Sequence, residues 1–328
     1  MPRVAIVIAA SPTRAFYSQV AAFSLALRKI PWSRWEPNVH VYIGGEHDAA
    51  AHAEWRPHLR EVEISWVSEA RFAREGDWTQ SDDAFRFAPR DVDVLLAMDA
   101  DTLPVASLET VLDRVLETGS VAGTLAHYPT TLHHTFDMAT SSFSLLPVSS
   151  PFDERSVRES WERLSRGLLD VPLEFSFSHS LMDPGACDEH RLAPFYLNFG
   201  VVFFPAASFD GVARRYLTLR PAVAERMDDP AFSGQVALTL AVAAAETRTW
   251  ALPMRYNFPN DPVAERMYPE ELAHVAVFHY LRTGSFDRHA IFTNRDEYNK
   301  FLGLSLTGVN LRFQQSVRDI FGSDYPFS

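Results

Sequence analysis

The run "VDVLLAM", Val92 to Met98, constrains this chain more than any other stretch. Nearly every residue in it is apolar, so a strand built from it must be covered on both faces, the condition met inside parallel sheets rather than at a solvent-facing one. The chain then breaks straight into "DADTLP", two carboxylates separated by one alanine. Like charges that close raise each other's pKa and cost stability, and a divalent cation is the obvious compensation.

The pattern around this run supports an α/β fold. "VAIVIAA", Val4 to Ala10, reads as a first strand bounded by Ser11 and Pro12, and Tyr17 to Leu27 carries helical periodicity ended by "KIPW". "HVYIGG" and "VEISWV" read as two further strands. The second half of "SEARFAREGDWTQSDDAFRFAP" and the stretch Ser107 to Glu117 read as helices, with "SVAGTLA" a strand after them. Such alternation predicts a doubly wound, largely parallel central sheet flanked by helices, in which ligands bind beyond the carboxyl ends of the strands. Asp99 and Asp101 sit at such an end.

Between His127 and Pro194 the alternation stops, apart from an amphipathic helix across Phe152 to Leu169. Regular structure resumes with a strand "FYLNFGVVFFP", helices from Phe209 to Leu219 and over "SGQVALTLAVAAAE", and strands at "TWALP" and "HVAVFHYL". With 328 residues and no linker, a single domain is expected. Its parts are a nucleotide-binding half over 1–126, an insertion or acceptor-recognition segment over 127–194, and a second half over 195–328.

The net charge of −12 and the lack of a basic run argue against a nucleic-acid partner. Lys29 and Lys300 are the only lysines beside many arginines, which hints at a GC-rich bacterial genome. The single cysteine, Cys187, rules out disulfides within the chain and a cysteine-rich zinc site. "MPRVAIVIAASPT" has no signal-type charged region, and "QVALTLAVAAAET" is far shorter than the roughly 20 residues of a membrane span. A cytoplasmic location, peripheral to a membrane or free of one, is expected.

An isolated D-x-D also closes ordinary capped turns. The haloacid-dehalogenase-type phosphatase signature is a poorer match, because Leu103 stands where that pattern wants threonine or valine. The order of several blocks resembles instead the glycogenin-like and galactosyltransferase-like branch of the GT-A glycosyltransferases. "LLAMDADTLP" resembles its strand and D-x-D, "YLNFGVVFFP" its N-x-G block, and "FSGQVALTLAV" its D-Q helix with Gly234 in place of the acid. "ALPMRYNFP" resembles its L-P-x-x-Y-N block and "VAVFHYL" the strand ending in a metal-binding histidine.

The resemblance implies a metal-dependent transferase moving a sugar from a nucleotide-diphosphate donor, a UDP-sugar above all, to a hydroxyl of a carbohydrate, lipid or small-molecule acceptor. Asp99, Asp101 and His279 would hold Mn²⁺ or Mg²⁺, the imidazole tilting the choice toward Mn²⁺. Asp99 would reach the ribose as well, with Ala100 beside it. Ala9, Ala10 and Ser11 would form the ledge under base and ribose. Arg86, Asp83, Gly200 and Asn257 would contact the donor. Gln235 and Asn198 would act near the anomeric carbon.

Each of these residues also has a plainer reading as a turn, core or ion-pair residue. His274, five positions before His279, is expected outside the ligand set, and His133 and His134 on the surface. The resemblance implies retention of configuration; an inverting enzyme would need a base such as Asp183, Asp188 or Glu189. Two rival classes share much of the pattern. A nucleotidyltransferase would carry a glycine-rich basic loop that "AASPTRAF" lacks, and a binding protein without turnover would keep the same fold.

Overall fold

The computed structural model describes residues 1–45, 48–76, 78–126, 135–137, 142–144, 154–178, 192–227 and 232–327. Its centre is a seven-stranded sheet of β1 (Arg3–Ala10), β2 (Glu36–Ile43), β3 (Val62–Trp66), β4 (Val94–Asp99), β6 (Val121–Leu125), β11 (Leu197–Pro205) and β12 (Thr249–Ala251). The order across the sheet is β3-β2-β1-β4-β11-β6-β12. Strands β1 to β4 run parallel, as do β6 and β12, while β11 runs antiparallel to both its neighbours.

A smaller sheet joins β5 (Thr102–Pro104) to β13 (Phe258–Pro259) and β14 (Val277–His279) in the order β13-β14-β5. The short pairs β7 (Thr135–Asp137) with β8 (Ser142–Ser144) and β9 (Phe177–Ser178) with β10 (Leu192–Ala193) complete the strands. The longer helices are α1 (Arg14–Lys29), α4 (Thr79–Phe87), α5 (Glu109–Thr118), α6 (Glu154–Ser165), α7 (Ala206–Ala224), α8 (Ser233–Ala244), α11 (Arg295–Gly303) and α12 (Gly308–Phe321). Four short ones, α2 (Ala49–Trp55), α3 (Glu69–Glu75), α9 (Pro262–Met267) and α10 (Pro269–Ala273), lie in connections. The sequence patterning gave no expectation of α11 or α12.

The apolar run in β4 has the expected cause. Val94, Leu96 and Met98 face one core, shared with α1, α5 and the C-terminal helices. Leu95 and Ala97 face the other, shared with α4, α7 and α8. Alternate side chains leave a strand on opposite faces, so a strand with helices on both sides can leave neither face polar. Burying each leucine contributes about 1.5–3 kcal/mol, and the strand that carries "DAD" is thereby fixed at the centre of the sheet.

Among the described residues no helix is long and apolar enough to cross a membrane. Cys187, His133, His134, Asp183, Asp188 and Glu189 lie outside the described residues, as does most of the segment from 127 to 191.

Candidate active site

The parallel pairing of β1 with β4 puts Ala9 beside Asp99 at the carboxyl end of the sheet. The chain then turns, with Thr102 Oγ1 donating to the Asp99 carbonyl at 2.7 Å, and continues as β5. Strand β14 pairs antiparallel with β5, His279 opposite Thr102, and the Tyr280 N–H donates to the Asp101 carbonyl at 3.0 Å. Backbone register therefore delivers the imidazole to the aspartate pair.

His279 Nε2 lies 3.3 Å from Asp101 Oδ1 and 3.6 Å from Asp99 Oδ2. One ligand atom from each of the three residues falls within 4.8 Å of the other two. The other imidazole nitrogen, Nδ1, is 3.0 Å from Asn257 Oδ1. Asn257 Nδ2 donates in turn to Asn198 Oδ1 at 2.9 Å, which also accepts the Gly200 N–H at 2.9 Å. With its Nδ2 committed to Asn198, Asn257 presents only oxygen to the ring, so Nδ1 is a donor to it and Nε2 is the nitrogen turned to the carboxylates, where a cation would replace its proton. A hydrogen-bonded second nitrogen is the usual device for fixing a metal-binding histidine.

Gly200 belongs to this arrangement for a steric reason. A Cβ placed there would lie 2.4 Å from His279 Cε1 and 2.5 Å from Nδ1, so any side chain would expel the ring. The pairing of β11 with β6 shifts register between Leu197 and Val202, a bulge that frees Asn198 and Gly200 from regular pairing.

The charges are unevenly compensated. Burial raises the Asp101 pKa, but His279 and the Arg288 guanidinium, which donates to Oδ2, outweigh it and hold the carboxylate well below its usual range. Burial first, offset by His279 and reinforced by Asp101, pushes Asp99 up. Burial disfavours charge on His279, yet the two carboxylates raise its pKa overall. The Asp99 side chain keeps 43% exposure, against 16% for Asp101 and 7% for His279, so the cluster opens to solvent on the Asp99 side. Two carboxylate oxygens and one imidazole nitrogen at this spacing could hold a divalent cation.

The remaining residues singled out from the sequence fall into three places. Gln235 and Ala9 line a cavity of about 190 Å³ that opens beside Asp99; Gln235 Oε1 accepts the Phe199 N–H at 3.1 Å. Asp83 is buried in an ion pair with Arg71, and Asp82 in another with Arg220 at 2.7 Å, so neither offers a carboxylate to a ligand in this arrangement. Arg86 is exposed, because the face of α4 turned to the cavity is that of Ser81, Ala84 and Phe85.

Ala10 and Ala100 are 3% exposed and their methyl groups pack into the core beneath α1, so only their backbones could meet a donor. Ser11 sits half-buried in the turn after β1. His274 follows α10, outside the ligand cluster. Sequence reading missed Arg288, nine residues beyond His279 in an irregular stretch, and the aromatic lining of the cavity by Trp78, Phe199 and Phe232.

No known family profile matches the chain, and no curated protein is significantly similar to it. Solved structures are. WbbM, a bifunctional glycosyltransferase in its apo form, superposes with a TM-score of 0.52 at 12% identity over 98% of this chain and 52% of its own. This chain thus spans about half the length of that protein. The galactosyltransferase LgtC, with donor and acceptor sugar analogues, gives 0.49 at 18% identity over 84% of this chain and 86% of its own. Mouse xyloside xylosyltransferase 1, apo, gives 0.47 at 12% identity over 85% and 97%. The first likeness, with the strand order, defines the architecture: a mixed α/β fold of GT-A type.

Proposed function

We propose that the chain is a metal-dependent glycosyltransferase that moves a sugar from a nucleotide-diphosphate donor, a UDP-sugar, to a hydroxyl acceptor. The observation that carries this reading is the convergence of Asp99, Asp101 and His279 at the carboxyl end of β4, with the histidine tautomer set by Asn257. Carboxylates left facing each other at a sheet's ligand-binding edge, with a pre-oriented imidazole, form a cation site rather than a structural pair.

Asp101 and His279 would hold the cation, Mn²⁺ being favoured by the imidazole, and Asp99 would join it from the solvent side. When bound, the cation neutralises the charge that develops on a departing diphosphate. The chain's own groups do the rest. Asn257 and Asn198 hold His279 in place, Arg288 holds Asp101 by its outer oxygen, and Gln235 stands at the rim of the cavity beside Asp99, where a sugar joined to that diphosphate would lie.

Calorimetric titration with UDP and with GDP, each with and without Mn²⁺, tests the reading. UDP binding that requires Mn²⁺ and is lost in Asp101→Ala is the expected result. Absence of nucleotide binding in every metal condition would return "DAD" to an ordinary turn.

A further inference from the structure

The cavity beside Asp99 is more apolar than a site for a fully hydroxylated sugar should be. Its floor is Val7 and Ala97 of the central sheet, and one wall is a group of aromatic rings. Phe85 stacks on Tyr216 with ring centroids 4.2 Å apart and lies 5.7 Å from Phe199. Packed rings of this kind hold their positions, so the cavity is built rather than left over.

Its volume sets what can enter. At about 190 Å³ it is smaller than the roughly 300–1,000 Å³ of pockets that enclose whole small molecules. A nucleotide sugar cannot fit, but one end of its sugar can. A nucleobase is a poor occupant, since its ring carries several polar edge atoms. The polar side chains of the lining are outnumbered by the apolar ones: the Ser81 hydroxyl, the Asp99 carboxylate, the Trp78 indole N–H, the Gln235 amide, whose oxygen is already engaged, and the Tyr216 hydroxyl. Asp99 belongs to the cluster that would hold a cation, so the cavity adjoins that cluster.

Gly234 strengthens the point. It lines the cavity, and a Cβ there would meet only the Tyr216 hydroxyl, at 3.3 Å. Gly234 thus presents no hydrogen-bonding side chain on that wall.

We propose that this cavity receives a methyl-terminated substituent of the donor's sugar, so that the donor is an N-acetylated or 6-deoxy sugar nucleotide in preference to a plain hexose. The inference rests on the glycosyltransferase reading and narrows its substrate class. A methyl group gains by leaving water for the part lined by Val7, Ala84, Ala97 and the rings, whereas a hydroxyl there loses hydrogen bonds that those groups cannot return. One such difference in an apolar pocket is worth about 10–100-fold in affinity.

The test is calorimetric titration of the Mn²⁺-loaded protein with UDP, UDP-galactose, UDP-6-deoxygalactose and UDP-N-acetylgalactosamine. The expected result is that one methyl-bearing donor binds about 10–100-fold tighter than UDP-galactose; which one it is tells the 6-methyl from the acetamido methyl. Ala84→Leu, which fills the cavity, should erase the preference, and Gly234→Asp should reverse it toward UDP-galactose. UDP binding with all three sugar nucleotides within twofold of one another overturns the inference and leaves the transferase reading standing. Failure of UDP itself to bind overturns both.

Discussion

Two carboxylate sites in this molecule make opposite use of burial. At the start of α5, Glu109 accepts the backbone N–H groups of Ser33, Arg34 and Trp35 at 2.8, 2.7 and 3.1 Å and the Ser33 hydroxyl at 2.9 Å. Burial alone would raise its pKa, but these donors outweigh it and hold the group down at about 2. At the end of β4, Asp99 and Asp101 face each other and a histidine, and backbone donors supply little of the compensation. The first carboxylate is satisfied by its own chain and ties the α1–β2 connection to α5. In the second pair Asp101 is met by His279 and Arg288 while Asp99 stays half-exposed beside them, and a carboxylate left open next to an oriented imidazole is a candidate for function.

The contrast can be broken by substitution. Asp101→Asn should weaken Mn²⁺ binding by a factor on the order of 10³, because one negative ligand is lost, at a modest cost in urea midpoint, because the amide oxygen can still accept from Arg288. Isothermal titration with Mn²⁺ alone reads the first, and a loss of under tenfold would show that Asp101 is not a ligand. Glu109→Ala should do the reverse, lowering stability by about 3 kcal/mol by urea denaturation with Mn²⁺ affinity intact. A destabilisation below about 1 kcal/mol would remove Glu109 from the structural side of the comparison.

Smaller effects sharpen it. Asn257→Ala should weaken Mn²⁺ binding about 10–100-fold, since His279 loses the acceptor that fixes its tautomer. Unchanged affinity in that variant would mean that β14 alone positions the ring. The smallest effect is a pH dependence. The Glu109 pKa is depressed on folding, so its stabilisation is full above the unfolded-state pKa near 4.5 and declines as pH falls toward about 2. Urea midpoints taken from pH 6 down to pH 3 should fall more steeply in the wild type than in Glu109→Gln; parallel curves would place the acid sensitivity elsewhere.

Much of the structure over 1–126 was legible in the sequence because its signals are local. "VAIVIAA" and "VDVLLAM" are short apolar runs with turn residues beside them, and they appear as β1 and β4. α4 was legible as a helix, but not its orientation. Arg86 and Asp83 lie on a helix whose cavity-facing side is set by packing against β1, β2 and α7, which no window of the sequence encodes. Arg288 had no signal at all: an arginine in an irregular stretch meets Asp101 across 187 positions of chain. Asn198, Gly200 and Asn257 could be picked out as polar or small residues in apolar surroundings. Their joint action on His279 is visible only once the start of β11 and the residue before β13 are brought against the end of β14.

The sequence by itself determined that a strand buried on both faces ends in an aspartate pair, because hydrophobic periodicity and turn chemistry act between near neighbours. With that came a doubly wound sheet and the place of the pair at the carboxyl ends of its strands. Only the tertiary structure decided that β14 pairs with β5 in the register that sets His279 opposite Thr102, that Gly200 leaves room for the ring, and that Phe85, Phe199 and Tyr216 enclose a cavity next to Asp99. Those contacts join residues far apart along the chain, and their geometry follows from how whole elements pack together.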